Sequence, residues 1–248
     1  CAASRHRHIL CSMSYETLWG GLTFSPGSGF PLSTDSMLLA DFVRLPRAAR
    51  VVDLGSGSGC LGLLLCGRYP DCRVTGIELE EQAHRAALDN ISRNRLTRLS
   101  SIRGDLRRAT ELLPAGSFTC AVSNPPYFPG GPPSGAAAGP QARREIACSL
   151  EDVFRAAARL LAFGRDFYLD HRPERLVDLT ALGRAAGLEP KRLQLVRHQP
   201  AAPACLILLQ CRRGGKPGLQ LLPDLILFHP DGSPTSRYRE IYHMEEGD

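Results

Sequence analysis

The chain has 248 residues, 43% of them hydrophobic, and Lys+Arg 30 against Asp+Glu 25 gives a formal net charge of +5. That content fills a globular core and excludes a disordered, fibrous or low-complexity chain, while the mild positive excess permits an acidic partner without requiring one. No segment reaches the roughly 18 apolar residues of a membrane span, and no long apolar stretch follows Arg5, His6, Arg7 and His8, so a cytoplasmic protein without a membrane partner is expected.

The nine cysteines, at positions 1, 11, 60, 66, 72, 120, 148, 205 and 211, are odd in number and lack any Cys-x-x-Cys spacing. They are read as reduced core thiols, and no metal is expected. The sequence starts at Cys1, and Met13 is a plausible start, which makes residues 1–12 an expected upstream extension.

In chain order, residues 1–48 form a lead-in, 49–212 an α/β domain and 213–248 a tail packed on that domain. Within the lead-in, Ser33-Thr34-Asp35-Ser36 reads as a loop capping a helix over 37–43 through Thr34 or Asp35. From residue 50, short β-rich runs alternate with helical patterns, the signature of a doubly wound, Rossmann-like sheet with crossover helices on both faces. Seven strands are expected, over 51–54, 73–79, 100–104, 118–123, 166–171, 192–198 and 205–211, with helices over 60–68, 81–93, 150–162 and 174–186. The segment 199–204 holds Pro200 and Pro203 and is too short for a crossover helix, so the last two strands form an antiparallel hairpin in a mixed sheet. Residues 129–142 are nearly all Gly, Pro, Ala and Ser, a loop.

Asp53-Leu54-Gly55-Ser56-Gly57-Ser58-Gly59 ends the first strand and opens a helix, where an open α/β sheet binds its ligand. Gly57, Gly59 and Gly62 satisfy G-x-G-x-x-G, and Glu78 at the end of the second strand is placed to hold two ribose hydroxyls. A nicotinamide dinucleotide meets those requirements equally well. Asp53 separates the two ligands: a carboxylate at the loop repels a pyrophosphate but attracts the sulfonium or ammonium of S-adenosylmethionine. Asp105, after the third strand, can accept from an adenine amino group, although a strand-end N-cap is the simpler role for it taken alone.

Asn124-Pro125-Pro126-Tyr127-Phe128 follows the fourth strand directly. The prolines remove two backbone donors and stiffen the chain, so the Asn124 side chain and the prolyl carbonyls present fixed acceptors and Tyr127 a flat face. An aromatic amine is a poor nucleophile because its lone pair is delocalised into the ring. If Asn124 and Pro125 accept its two hydrogens, the nitrogen can pyramidalise toward a methyl donor with no strong base. Stacking on Tyr127, with Phe128 behind it, offsets part of the cost of extracting a base. A rigid Asn-Pro turn is the plain alternative for the motif in isolation.

With these motifs the chain resembles the class I S-adenosylmethionine-dependent methyltransferases carrying Asn/Asp-Pro-Pro-Tyr/Phe, and more closely the bacterial valine-tRNA adenine methyltransferases. The resemblance extends to the segments 33–42, His171-Arg172-Pro173-Glu174-Arg175-Leu176 and Gly214-Gly215-Lys216-Pro217-Gly218-Leu219, and so over nearly all of residues 15–242. It implies N(6)-methylation of the adenine just 3′ of the anticodon of a valine tRNA; separately, a monomer is expected. It assigns Asn124, Pro125, Pro126 and Tyr127 to catalysis. Thr34, Asp35, Asp53, Gly55, Gly57, Gly59, Glu78, Asp105 and Asn124 fall to the donor. Tyr127, Phe128, Arg143, Arg144, His171, Arg172 and Lys216 fall to the RNA, the charged ones joined by Arg212 and Arg213 as phosphate contacts on one rim.

The rivals keep the chemistry and change the acceptor, to a guanine amino group in ribosomal RNA, a DNA adenine or a release-factor glutamine amide. Two rivals leave methyl transfer altogether: a non-catalytic RNA-binding module on the same fold, and a nicotinamide dehydrogenase.

Overall fold

In the computed structural model, residues 15–27, 32–125 and 148–243 are described, so Pro126, Tyr127, Phe128, the Gly/Pro/Ala loop 129–142, Arg143 and Arg144 lie outside the described residues. The parallel strands are most apolar at the centre of the sheet, where both faces are covered, while the edge strand over 99–103 exposes Ser100 and Arg103. These strands are β3 (Arg50–Leu54), β4 (Arg73–Glu78), β5 (Leu99–Arg103), β6 (Phe118–Ser123) and β7 (Leu161–His171), after a short hairpin of β1 (Glu16–Thr17) and β2 (Thr23–Phe24). β8 (Leu188–Arg197) and β9 (Ala204–Arg213) follow, and the spatial order is β5-β4-β3-β6-β7-β9-β8. Strand β9 runs antiparallel to both β7 and β8, the hairpin that the short proline-bearing link predicts. The tail extends the sheet with β10 (Gln220–Leu221) and β11 (Leu225–Ile226), both parallel to β8, beyond the seven strands expected.

Period-two alternation divides the core. Val51, Cys120, Val122 and Tyr168 face a cluster with helices α1 (Thr34–Phe42) and α2 (Cys60–Arg68), joined by Leu225, Leu227 and Ile241 of the tail. Val52, Ala121, Phe167 and Leu169 face the opposite cluster, with α5 (Leu150–Leu160) and α6 (Leu176–Ala185). Helix α3 (Glu81–Arg93) crosses from β4 to β5, and the short α4 (Ala109–Leu112) leads toward β6. Helix α7 (Ser236–Tyr242) returns the tail to the lead-in: the Trp19 indole donates to the Ile241 carbonyl at 2.8 Å, and buried Asp41 of α1 pairs with Arg68 at 2.6 Å and with Arg237.

Several boundaries differ from expectation: β8 starts at Leu188 in place of 192, and α5 ends at Leu160 in place of 162. Helix α1 starts at Thr34, and its cap is Ser33, whose hydroxyl accepts from the Ser36 amide at 3.2 Å, so neither Thr34 nor Asp35 caps it. Strand β7 starts at Leu161 in place of 166; its first half escapes a reading of periodicity because Phe163, Gly164 and Arg165 are exposed and supply no apolar alternation. Pro173–Arg175 is a 3₁₀ turn, which delays α6 to Leu176. Among the described residues no helix is long and apolar enough to cross a membrane, and no group of three or more His, Cys, Asp or Glu side chains is placed to hold a metal ion.

Candidate active site

The carboxyl ends of β3, β4, β5 and β6 bring the candidate residues to one edge of the sheet. After β3 the chain turns sharply: the Gly55 and Ser56 amides both donate to the Ile77 carbonyl, at 3.0 and 3.1 Å. The Gly57 amide donates to Glu78 Oε2 at 2.8 Å, and the Glu80 amide to Oε1 at 2.8 Å. Glu78 therefore shapes the loop, and its remaining lone pairs stay available for hydroxyl donors. Gly55 and Gly57 have φ of 73° and 56°, and a Cβ on either would meet nothing within 4 Å. Glycine is needed there for backbone conformation, and open space lies above both residues. Gly76 has the opposite reason: its Cβ would stand 2.5 Å from Ser56 Oγ, so its absence lets the loop settle on β4.

Asp53 is 2% exposed, and its Oδ2 is buried without a hydrogen-bond partner among the described residues. Burial, reinforced by the charge of Glu78, pushes its carboxyl up to about 7. A buried carboxylate lacking a donor is under-solvated, and an approaching cation relieves it. Asp105 has the simpler role foreseen for it. It caps the turn after β5 by accepting from the Arg107 amide at 2.9 Å, and its carboxylate takes the Arg107 guanidinium at 2.9 to 3.0 Å through Nε. These bonds hold it below the usual carboxylate range, and a ligand donor must share it with Arg107.

Asn124 follows β6, whose end is tied to β3 by the Ser123 hydroxyl donating to the Leu54 carbonyl at 2.8 Å. Asp53 pairs in register with Val122, so the carboxylate and the amide project from neighbouring strand ends. The Asn124 Nδ2 donates to Ser36 Oγ at 3.0 Å, which assigns the amide nitrogen to α1 and leaves Oδ1 acceptor capacity. Pro125 is buried beside it. Thr34 and Asp35 stand in the first turn of α1, which packs against α7.

The expected basic rim is not one rim. Because β9 runs antiparallel to β7, its last residues lie at the sheet edge opposite Asp53 and Asn124, with Arg212 across from Asp166 and Arg213 across from Leu188. Lys216 follows at that far edge, its carbonyl accepting from Lys191 Nζ at 3.0 Å. Arg212 is paired with Asp166 at 2.7 Å, and Arg213 donates to the Leu161 carbonyl. His171 is at the correct edge but is buried, so it is no surface cation; its Nδ1 accepts from the Arg172 amide at 2.8 Å, and burial, then Arg175, depresses its pKa to about 4. Arg172 alone of these five candidates is exposed at the site edge.

Sequence reasoning missed Ser33, Ser36, Asn90 of α3 and Asn94, the residue that ends that helix. Asn90 is buried; its Nδ2 donates to the Ser25 and Ser58 carbonyls at 2.8 and 3.0 Å, and its Oδ1 accepts from the Ser25 amide at 3.0 Å. Asn94 clasps Thr23 in the same way. Four-residue spacing puts both amides on one helix face, and that was the available signal.

Residues 31–138 match the family model of the methyltransferase small domain. A protein of Aeromonas hydrophila named tRNA1(Val) (adenine(37)-N6)-methyltransferase is 28% identical over 215 residues, 85% of this chain and 87% of its own length. A protein of the same name from Vibrio parahaemolyticus is 35% identical over 104 residues, 41% of each chain. The structure of an Agrobacterium tumefaciens protein described as a predicted O-methyltransferase aligns with a TM-score of 0.68 at 23% identity, covering 85% of this chain and 96% of that one. A geranyl diphosphate C-methyltransferase from Streptomyces coelicolor, solved with S-adenosyl-L-homocysteine, aligns with a TM-score of 0.54 at 13% identity, covering 72% and 79%. Residues 31–138 thus match a methyltransferase small domain, and the chain has the Rossmann-like α/β fold of the class I methyltransferases.

Proposed function

We propose that the protein transfers a methyl group from S-adenosylmethionine to the N6 amino group of an adenine in tRNA, at position 37 beside the anticodon of a valine tRNA, the reaction in the names of the relatives from Aeromonas and Vibrio. The observation that carries this reading is the pair at neighbouring strand ends: Asp53, a buried carboxylate with an unpartnered oxygen, and Asn124, an amide whose nitrogen is anchored and whose oxygen keeps acceptor capacity.

The residues present fit this donor. The orphaned Asp53 oxygen suits a cationic group, Glu78 has lone pairs for two ribose hydroxyls, and the open backbone at Gly55 and Gly57 admits close approach, with Gly59 opening α2 behind them. Thr34 and Asp35 close the donor side, and Asp105 meets the adenine amino group. When bound, S-adenosylmethionine supplies an electrophilic methyl on a sulfonium. Asn124 Oδ1 and the Pro125 carbonyl accept the two hydrogens of the target amine and turn its lone pair toward that methyl. With the donor bound, this pose would let the nitrogen displace the methyl from sulfur, which would keep the C–S electron pair, and the methylated nitrogen would release its proton to solvent. Positioning and electrostatics thus provide the catalysis. Pro126 stiffens the motif, Tyr127 and Phe128 stack on the extruded base, and Arg143, Arg144 and Arg172 contact phosphates. The protein acts in the cytoplasm as a monomer.

The test is incubation with labelled donor and tRNA lacking modifications, followed by mass spectrometric mapping. A single N6-methyladenine beside the valine anticodon is the expected product. Methyl transfer to a guanine, to DNA or to a release-factor peptide, or none with any tRNA, refutes the assignment.

A further inference from the structure

Asn124 has two nearly isosteric ends, and only one of them serves an amine acceptor. If the amide turned over, its NH₂ would face the NH₂ of the base, donor against donor, with both groups unpaired in a half-buried site. Something must hold the orientation, and the prolines that follow cannot, because they fix the backbone and not the side-chain amide.

We propose that Ser36 is the positioning residue that fixes the Asn124 amide with Oδ1 toward the substrate. Ser36 is 7% exposed, in the first turn of α1, and its Oγ accepts from Asn124 Nδ2 at 3.0 Å. It also accepts from Ser33 Oγ at 3.0 Å, while Ser33 Oγ accepts from the Ser36 amide at 3.2 Å. The first turn of α1 holds that oxygen in place, since Ser33 Oγ both accepts from the Ser36 amide and donates to Ser36 Oγ. With its lone pairs facing Ser33 and Asn124, Ser36 offers the amide an acceptor, which Nδ2 can answer and Oδ1 cannot. The Ser33 cap has a second consequence: it fixes the turn that carries Ser36, so the orientation of the catalytic amide is set by the same bonds that start the helix. Residue 36 lies 88 positions before Asn124 in sequence and meets it only because α1 packs over the end of β6.

This inference rests on the proposed role of Asn124, and the experiment keeps the two separable. Ser36→Ala and Ser36→Thr are compared with the unaltered protein in single-turnover methyl transfer to unmodified valine tRNA. In parallel, hydrogen exchange of the Asn124 side-chain amide is followed by NMR, its resonance assigned by loss in Asn124→Ala. Removing one neutral hydrogen bond from the correct orientation is expected to lower kcat about tenfold, with KM for the donor changed less than about twofold. The Asn124 amide hydrogens then exchange faster, and Ser36→Thr, which keeps the hydroxyl, restores both readouts. Unchanged kcat and unchanged exchange in Ser36→Ala overturn the proposal. So does a loss of donor affinity in step with kcat, which marks a merely structural role. If the unaltered protein methylates no tRNA, the functional reading fails while the exchange measurement still decides whether Ser36 holds the amide.

Discussion

Replacing Asp53 with asparagine tests both the electrostatics of the site and its purpose. Burial together with Glu78 raises the Asp53 carboxyl from 3.8 to about 7. The folded protein therefore holds this proton more tightly than the unfolded chain, and stability falls as pH rises from about 4 through 7. At 1.36 kcal/mol per pH unit, most of the loss between pH 5 and pH 8 comes from the two units below the folded value, about 2–3 kcal/mol. The substituted amide cannot ionise, so Asp53→Asn should lose about 2–3 kcal/mol less stability than the unaltered protein between those pH values. Comparing the two slopes cancels the fixed cost of placing an amide where Oδ2 has no partner. Urea unfolding at pH 5 and pH 8 gives the slopes directly. The same substitution should weaken S-adenosylhomocysteine binding at pH 8 by about tenfold or more, since a charge-assisted contact is lost, and the unaltered protein should bind more weakly as pH falls below 7. Identical slopes would refute the burial argument, and unaltered binding would refute the assignment of Asp53 to the ammonium of the donor, the one cation that S-adenosylhomocysteine keeps.

Asn124→Ala should lower methyl transfer by about 100-fold or more, with S-adenosylhomocysteine affinity within about threefold by calorimetry, because the amide acts on the acceptor amine and not on the donor. Asp41→Ala removes the carboxylate that joins Arg68 and Arg237 at the junction of α1, α2 and the tail helix and should cost about 1–2 kcal/mol in urea unfolding, because both arginines reach solvent and Arg237 keeps Glu240. Asn90→Ala removes three hydrogen bonds to Ser25 and Ser58 and should cost about 2–4 kcal/mol, with faster exchange of the Ser25 amide as the local signature.

The sequence by itself determined the strands of the central sheet and the residues at their carboxyl ends. Apolar runs such as Val51-Val52 and Ala121-Val122 mark strands buried on both faces, and glycines at 55, 57 and 59 answer local backbone demands that a reader of residues can infer. The antiparallel hairpin was legible too, since six residues with two prolines cannot make a crossover. Two-residue strands such as β10 and β11 carry no period and left no trace. Only the tertiary structure decided which charged residues share an edge: Lys216 is separated from Asn124 by the reversed course of β9, and His171 is withdrawn into the core. It also decided the partners of Asn124 and Asn90, because bonds spanning 88 and 65 residues depend on which helix packs over which strand end. Local propensity is written in neighbouring residues. The orientation of an amide and the side of a cation are set by packing between segments distant in sequence, and no local pattern records them.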